Sequence, residues 1–150
     1  MSSERVNYKL PISVLVVVHT VQKEVLLMER ALRAGYWQSV TGSLDAMDEP
    51  LERAAAREVH EETGIDASRG RLERWNVVYT FEIYRQWRHR FAPGVIRNVE
   101  HVFALELLAR PRVQLARGEH TAFEWLPWRE AAAKCFSWSN RDAIAMLGEP

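Results

Sequence analysis

A chain of 150 residues is long enough for one domain and too short for two of ordinary size. Its 47% hydrophobic and 27% charged residues, with fifteen aromatics of which six are Trp, exclude a disordered or collagen-like chain. Twenty Lys and Arg balance twenty Asp and Glu, so no net field recruits nucleic acid or an anionic membrane, and the lone Cys135 excludes an intrachain disulfide or a multi-Cys zinc site.

The polar start, Met1 to Arg5, leads into no signal-like apolar segment. The longest apolar stretch, residues 12–18, is far short of the roughly twenty that a membrane helix needs. A cytoplasmic protein with no membrane partner is the expectation. Residues 12–18 are rich in Val and follow Pro11, which predicts a buried strand. Residues 25–30 are expected to pair with it, and residues 37–40 to form a short third strand ending at Thr41-Gly42. Pro50 stands where a helix begins, residues 51–62 are good helix formers, and Gly64 suits a left-handed C-cap. Longer strands are expected over 76–84 and 99–108, joined by a basic connection. A further strand over 122–126, a helix through 131–133 and a last helix capped by Ser139 complete the chain. Strands alternating with a few helices, without repeats or linkers, predict a single α/β (α+β) domain over 1–150.

The most informative segment is Arg57-Glu58-Val59-His60-Glu61-Glu62-Thr63-Gly64-Ile65. At about 100° per residue, Glu58, Glu61 and Glu62 share an arc of roughly 100° on the helix. Three carboxylates so close repel one another unless a cation offsets them, and a hard divalent ion such as Mg²⁺ prefers oxygen donors. A solvated acidic face balanced by Arg53 and Arg57 is the competing explanation.

Context favours the metal. Glu49, Arg57, Glu58, Val59, Glu61, Glu62, Gly64 and Ile65 stand in the register of the Nudix box, eight specified positions within seventeen residues. The segment therefore resembles the Nudix hydrolase family, which implies an α/β/α sandwich with a mixed sheet between helices and cleavage of a diphosphate linkage. Six residues, Ser43 to Asp48, separate Gly42 from Glu49 where the family has five, and Asp48 replaces the usual glycine; this reads as a one-residue loop insertion that leaves the helical half intact. The resemblance implies Glu58, Glu62 and Glu119 as ligands of Mg²⁺, with Mn²⁺ as a substitute, and Glu61 or Glu58 as the catalytic carboxylate. It makes Glu49 the partner of Arg57, and gives Gly42 and Gly64 structural places in the box.

Blocks outside the box point to a substrate. Tyr8-Lys9-Leu10-Pro11, residues 37–43, Phe81-Glu82-Ile83-Tyr84, residues 88–95, Arg97-Asn98 and residues 137–141 resemble a bacterial subgroup acting on 7,8-dihydroneopterin triphosphate in early folate synthesis. A pterin is flat and polar, and wants an aromatic surface with donors and acceptors at its edge. Phe81, Tyr84 and Trp138 are candidates to stack, with Ile83 beside them, while Glu82 and Asn140 are candidates to read the edge. Lys9, Arg30 and Thr41 are candidates to hold phosphate or the propyl chain. Ordinary core aromatics and solvated strand-end cations are the plain alternatives. The basic connection interleaves Arg85, Arg88, Arg90 and Arg97 with Trp87 and Phe91, a pattern also used on single-stranded nucleic acid. Zero net charge favours a triphosphate or a subunit contact instead. Histidines 19, 60, 89, 101 and 120 show no metal-site spacing. A nucleoside-triphosphate pyrophosphohydrolase is the nearest rival reading. A non-catalytic nucleotide- or RNA-binding module is the more distant one, and it fits poorly with a full set of box carboxylates. Oligomeric state is not encoded in any pattern here.

Overall fold

A computed structural model describes residues 7–149; Met1 to Val6 and Pro150 lie outside it. The strands are β1 (Ile12–Thr20), β2 (Glu24–Arg30), β3 (Trp37–Gln38), β4 (Val40–Ser43), β5 (Arg71–Glu82), β6 (Arg97–Leu107) and β7 (His120–Pro127). The α-helices are α1 (Leu51–Thr63), α2 (Trp128–Lys134) and α3 (Trp138–Ala145). All seven strands join one mixed sheet, ordered β3-β2-β1-β6-β5, with β4 also on β1 and β7 on β2. The β1–β6 pair is parallel over the whole of β1, while the other pairs are antiparallel.

Alternation along β1 sorts the core into two layers. Val14, Val16 and Val18 face one side and pack with Ala54, Ala55 and Val59 of α1. Leu15 and Val17 face the other side and pack with Ala131 of α2 and Ala143 and Ile144 of α3. Helices therefore cover both faces of the sheet, as expected from the alternation of elements. Both sides of β1 are apolar because both are covered.

The structure corrects several element boundaries. Residues 37–40 form two strands, since β3 pairs with β2 and β4 pairs with β1. The break falls at Ser39, whose N–H donates to Asn140 Oδ1 at 2.9 Å from α3. β5 begins five residues earlier than expected, at Arg71, and its register with β6 slips between Arg74 and Val78, around Asn76 at φ 56. A bulge there hides the strand from a search for simple alternation. Ser137, not Ser139, caps α3, accepting from the Asn140 N–H. The C-cap of α1 is Gly64 at φ 73, where a side chain would be strained.

Asn140 holds the β3–β4 break to α3 through buried groups. Its Oδ1 accepts from Ser39, and its Nδ2 donates to Ser137 Oγ at 2.7 Å. Asn140→Ala leaves the Ser39 N–H without its partner, a loss of about 1–3 kcal/mol. Denaturant unfolding is expected to show a lower midpoint with an unchanged slope.

Candidate active site

α1 brings two carboxylates to one buried place. Glu58 and Glu62 lie one turn apart, at 9% and 2% exposure. Gly42 of β4 is opposite Val14, on the α1 side of the sheet. A Cβ built at Gly42 would overlap the Glu58 carboxylate, so glycine is required here by close approach and not by a special backbone angle. Burial raises the Glu58 carboxyl above its usual range, against the pull of Glu62 and Arg57. Burial raises Glu62 further, and Glu58 and Glu119 add to the effect. The two carboxyls therefore titrate as a pair, each held above its usual range by burial, with the neighbouring carboxylate adding to the rise at Glu62. Glu62 Oε1 is buried without a hydrogen-bond partner among the described residues. His120 Nε2 lies 3.9 Å from that oxygen, but burial and then Arg30 push the His120 pKa down to about 4, leaving it neutral at pH 7. It supplies no counter-charge.

Arg57 organises the loop before the helix. Its Nε and Nη2 grip the two oxygens of Glu49 at 2.9 and 3.0 Å, a bidentate fork. Nη2 also donates to the Ser43 carbonyl at 3.1 Å, and Nη1 donates to Glu58 at 2.9 Å. In the loop before α1, the Asp45 N–H donates to Glu49 Oε1 at 2.9 Å. The expected Glu49–Arg57 pair is present, and the Arg57–Ser43 bond ties β4 to α1. Glu61 lies at the same helix end, more than half exposed, with Arg57 Nη1 at 3.3 Å.

The carboxylates line a cleft of about 1010 Å³, room for a heterocycle and a phosphate chain together. Lys9, Arg30, Thr41, Phe81, Glu82, Ile83, Tyr84, Glu119, Trp138 and Asn140 line it too. The expected metal and substrate residues thus lie on one surface, whereas Glu49 and Gly64 of the box stand outside the lining. A parallel bridge from Lys9 to Phe91, with the Lys9 N–H donating to the Arg90 carbonyl at 2.8 Å, carries the basic segment to the cleft. Desolvation and Arg90 lower the Lys9 ammonium pKa, whereas Glu58 and Glu62 raise it; cations and carboxylates therefore sense one another here. Arg30 stacks 4.6 Å from the Trp87 ring centroid. Trp138 meets Tyr79 and Phe81 edge to face at 5.2 and 6.4 Å and remains 41% exposed. It is a wall of the cleft and not a core residue docking α3.

Of the two expected edge readers, Asn140 is otherwise engaged. Glu82 is exposed, with Arg88 Nη2 at 3.8 Å, and both polar atoms of Asn140 are committed to Ser39 and Ser137. Sequence reasoning passed over Glu100, a buried carboxyl at the cleft with Oε1 unpartnered among the described residues. The sequence offered only a Glu between Val99 and Val102 in an expected strand, a position that does not by itself disclose burial.

The donor set fits a divalent cation. Two adjoining buried carboxylates, one with an unpartnered oxygen, stand where a hard cation would satisfy both. Among the described residues no three His, Cys, Asp or Glu side chains already converge as a cage, so water and substrate oxygens would complete the coordination.

The sequence profile of the NUDIX domain matches residues 9–147. The chain belongs to the Nudix family. It is 44% identical over 140 residues to dihydroneopterin triphosphate diphosphatase of Escherichia coli strain K12, spanning 91% of each chain. It is 33% identical to the protein of that name from Haemophilus influenzae, spanning 92% of this chain and 87% of the relative. The solved structure of the E. coli dihydroneopterin triphosphate pyrophosphohydrolase superposes with a TM-score of 0.86 at 43% identity, covering 93% of this chain and 96% of that one. The chain is accordingly a Nudix hydrolase, of a family that generally requires a divalent metal. No helix among the described residues is long and apolar enough to cross a membrane.

Burial pushes the Glu100 pKa up from 4.5 to about 7, with Ser139 opposing. The folded state therefore holds this proton more tightly than the unfolded chain. The associated stability is fully present below pH 4.5 and is lost as pH rises through about 7, up to about 3 kcal/mol in all. Glu100→Gln is expected to raise the melting temperature more at pH 8 than at pH 5. A pH-independent difference would contradict the burial argument.

Proposed function

We propose that this Nudix hydrolase cleaves 7,8-dihydroneopterin 3′-triphosphate, with Mg²⁺, to dihydroneopterin monophosphate and diphosphate, in the cytoplasm and early in folate synthesis. Water adds across the bridge between the α and β phosphates, and the diphosphate leaves. The observation that carries the reading is the coexistence, in one cleft, of the buried Glu58/Glu62 pair, a cationic wall and an aromatic-lined polar pocket. The 44% identity to the E. coli diphosphatase supports the choice of pterin.

Glu58 and Glu62 would hold Mg²⁺, with Glu119 contributing from the loop before β7; Mn²⁺ fits the same oxygen donors. Bound there, the ion neutralises phosphate oxygens and lowers the pKa of water. The chain's own residues do the rest. Arg57 fixes the Glu58 carboxylate through the Nη1 bond and draws Glu49 and Ser43 into one frame. Glu61, the most open of the three helical carboxylates, accepts the proton of the attacking water. Lys9, Arg30 and the neighbouring Arg90 balance the triphosphate, and the Gln38 amide steadies Thr41 Oγ1 at 3.4 Å beside them. Phe81, Tyr84 and Trp138 supply the stacking surface, with Ile83 buried behind it.

Glu62→Gln tests the centre of this assignment. It should lower kcat by at least about 10²-fold, as expected for a key electrostatic group. The melting temperature should hold or rise, because a buried repulsive pair is relieved. In the same assay, kcat/KM for the pterin triphosphate should exceed that for purine nucleoside triphosphates. Near-normal activity of Glu62→Gln would remove the metal assignment, and a preference for a nucleotide would remove the pterin.

A further inference from the structure

Parallel register places Ser13 of β1 beside Glu100 of β6. On the other side of β6, antiparallel register places Tyr79 of β5 opposite Glu100 and Phe81 opposite Asn98. These residues share the sheet face of Leu15 and Val102, which farther along is covered by α2 and α3. At the cleft that cover stops, and Trp138 of α3 stands edge-on to Tyr79 and Phe81. The floor so formed is polar, although nineteen-twentieths or more of it is buried: Asn98 is 5% and Glu100 4% exposed. Asn98 Nδ2 donates to Ser13 Oγ at 2.7 Å, which leaves its Oδ1 free. Asn98 Oδ1 and Glu100 Oε1 are both buried without a partner among the described residues. Two unpartnered acceptors beneath aromatic walls call for a flat ligand whose edge carries donors.

We propose that Glu100, with Asn98 beside it, recognises the amino-amidine edge of a 2-amino-4-oxopyrimidine ring in this cleft. That edge offers a ring N–H and an exocyclic amino group side by side, and a carboxylate accepts both in parallel, as it does from a guanidinium. Pterins and guanine share the edge. Adenine presents a ring nitrogen lone pair next to its amino group and sets it against the carboxylate. Xanthine puts a second carbonyl where the amino group should be. A buried carboxylate that costs stability at neutral pH is retained where it selects a ligand. The inference rests on the proposed hydrolysis of a pterin triphosphate and adds which residue chooses the ring.

The test is steady-state hydrolysis of dihydroneopterin triphosphate, GTP, XTP and ATP with Mg²⁺, by the wild-type chain and by Glu100→Gln. Glutamine keeps the shape but replaces one acceptor with a donor. KM for the pterin triphosphate and GTP should rise at least about tenfold with kcat within about threefold, while KM for ATP does not rise and can fall as the lone-pair clash is relieved. Wild type should favour GTP over XTP by at least about tenfold, an arm that needs no variant and decides the matter should Glu100→Gln fail to fold. Equal losses on all substrates, or equal use of GTP and XTP by wild type, would overturn the assignment. A wild type that prefers GTP to the pterin triphosphate, through Glu100, would refute the substrate reading and leave the edge recognition standing. A wild type that prefers the pterin triphosphate, with its KM for that substrate unchanged by Glu100→Gln, would do the reverse.

Discussion

Glu58 and Glu62 sit one helical turn apart, almost out of solvent, with Arg57 on Glu58 alone as their ion-paired cation among the described residues. Such a pair is unfavourable in a low-dielectric site unless it shares a proton or binds a cation. The surroundings are arranged to tolerate it. α1 is fixed on the sheet by Ala54, Ala55 and Val59, and its far end is closed by Gly64. Gly42 leaves the space into which the Glu58 carboxylate fits. Arg57 is the nearest compensating charge, yet Glu49 and the Ser43 carbonyl hold most of its donors. The helix therefore carries negative charge that the fold only partly answers, and that unmet demand is what a divalent cation and a phosphate chain can satisfy.

The sheet explains why one cleft can hold both chemistries. β1 pairs with β4 at its start and with β2 at its end, so the sheet divides around one central strand. Gly42 faces the α1 layer, whereas Ser13, two strands from Phe81, faces the α2/α3 layer. The cleft draws lining residues from both layers. Carboxylates come from a helix, which offers ligands at one-turn spacing, and the ring pocket comes from strands, whose alternation gives a flat floor. The basic segment over 85–91 is docked between them by the Lys9–Arg90 hydrogen bond.

Much of this was readable in the sequence, for identifiable reasons. The carboxylate helix was legible because helical spacing is rigid and the box positions are in register, and the Glu49–Arg57 pair followed from that register. Strand positions of Val-rich segments were legible because both faces are covered. What failed depended on contacts distant in sequence. Nothing near Ser39 marks a strand break, since its partner Asn140 is 101 positions away. The Asn76 bulge disguised half of β5. Asn140 has the right chemistry for edge recognition, but Ser39 and Ser137 occupy it. Glu100 was missed because a single carboxylate in an apolar strand reveals its worth only when its burial is known.

The most direct measurement of the central claim is calorimetric titration of the protein with Mg²⁺ near pH 7 in buffers of different ionisation enthalpy. Burial raises both the Glu58 and Glu62 carboxyls, so a cation that takes them as carboxylates competes with protons, and binding should release protons. The heat should then vary with the buffer, and the melting temperature should rise with Mg²⁺ concentration. Binding without proton release, or no binding at millimolar Mg²⁺, would contradict the assignment of the buried carboxylate pair as the metal site.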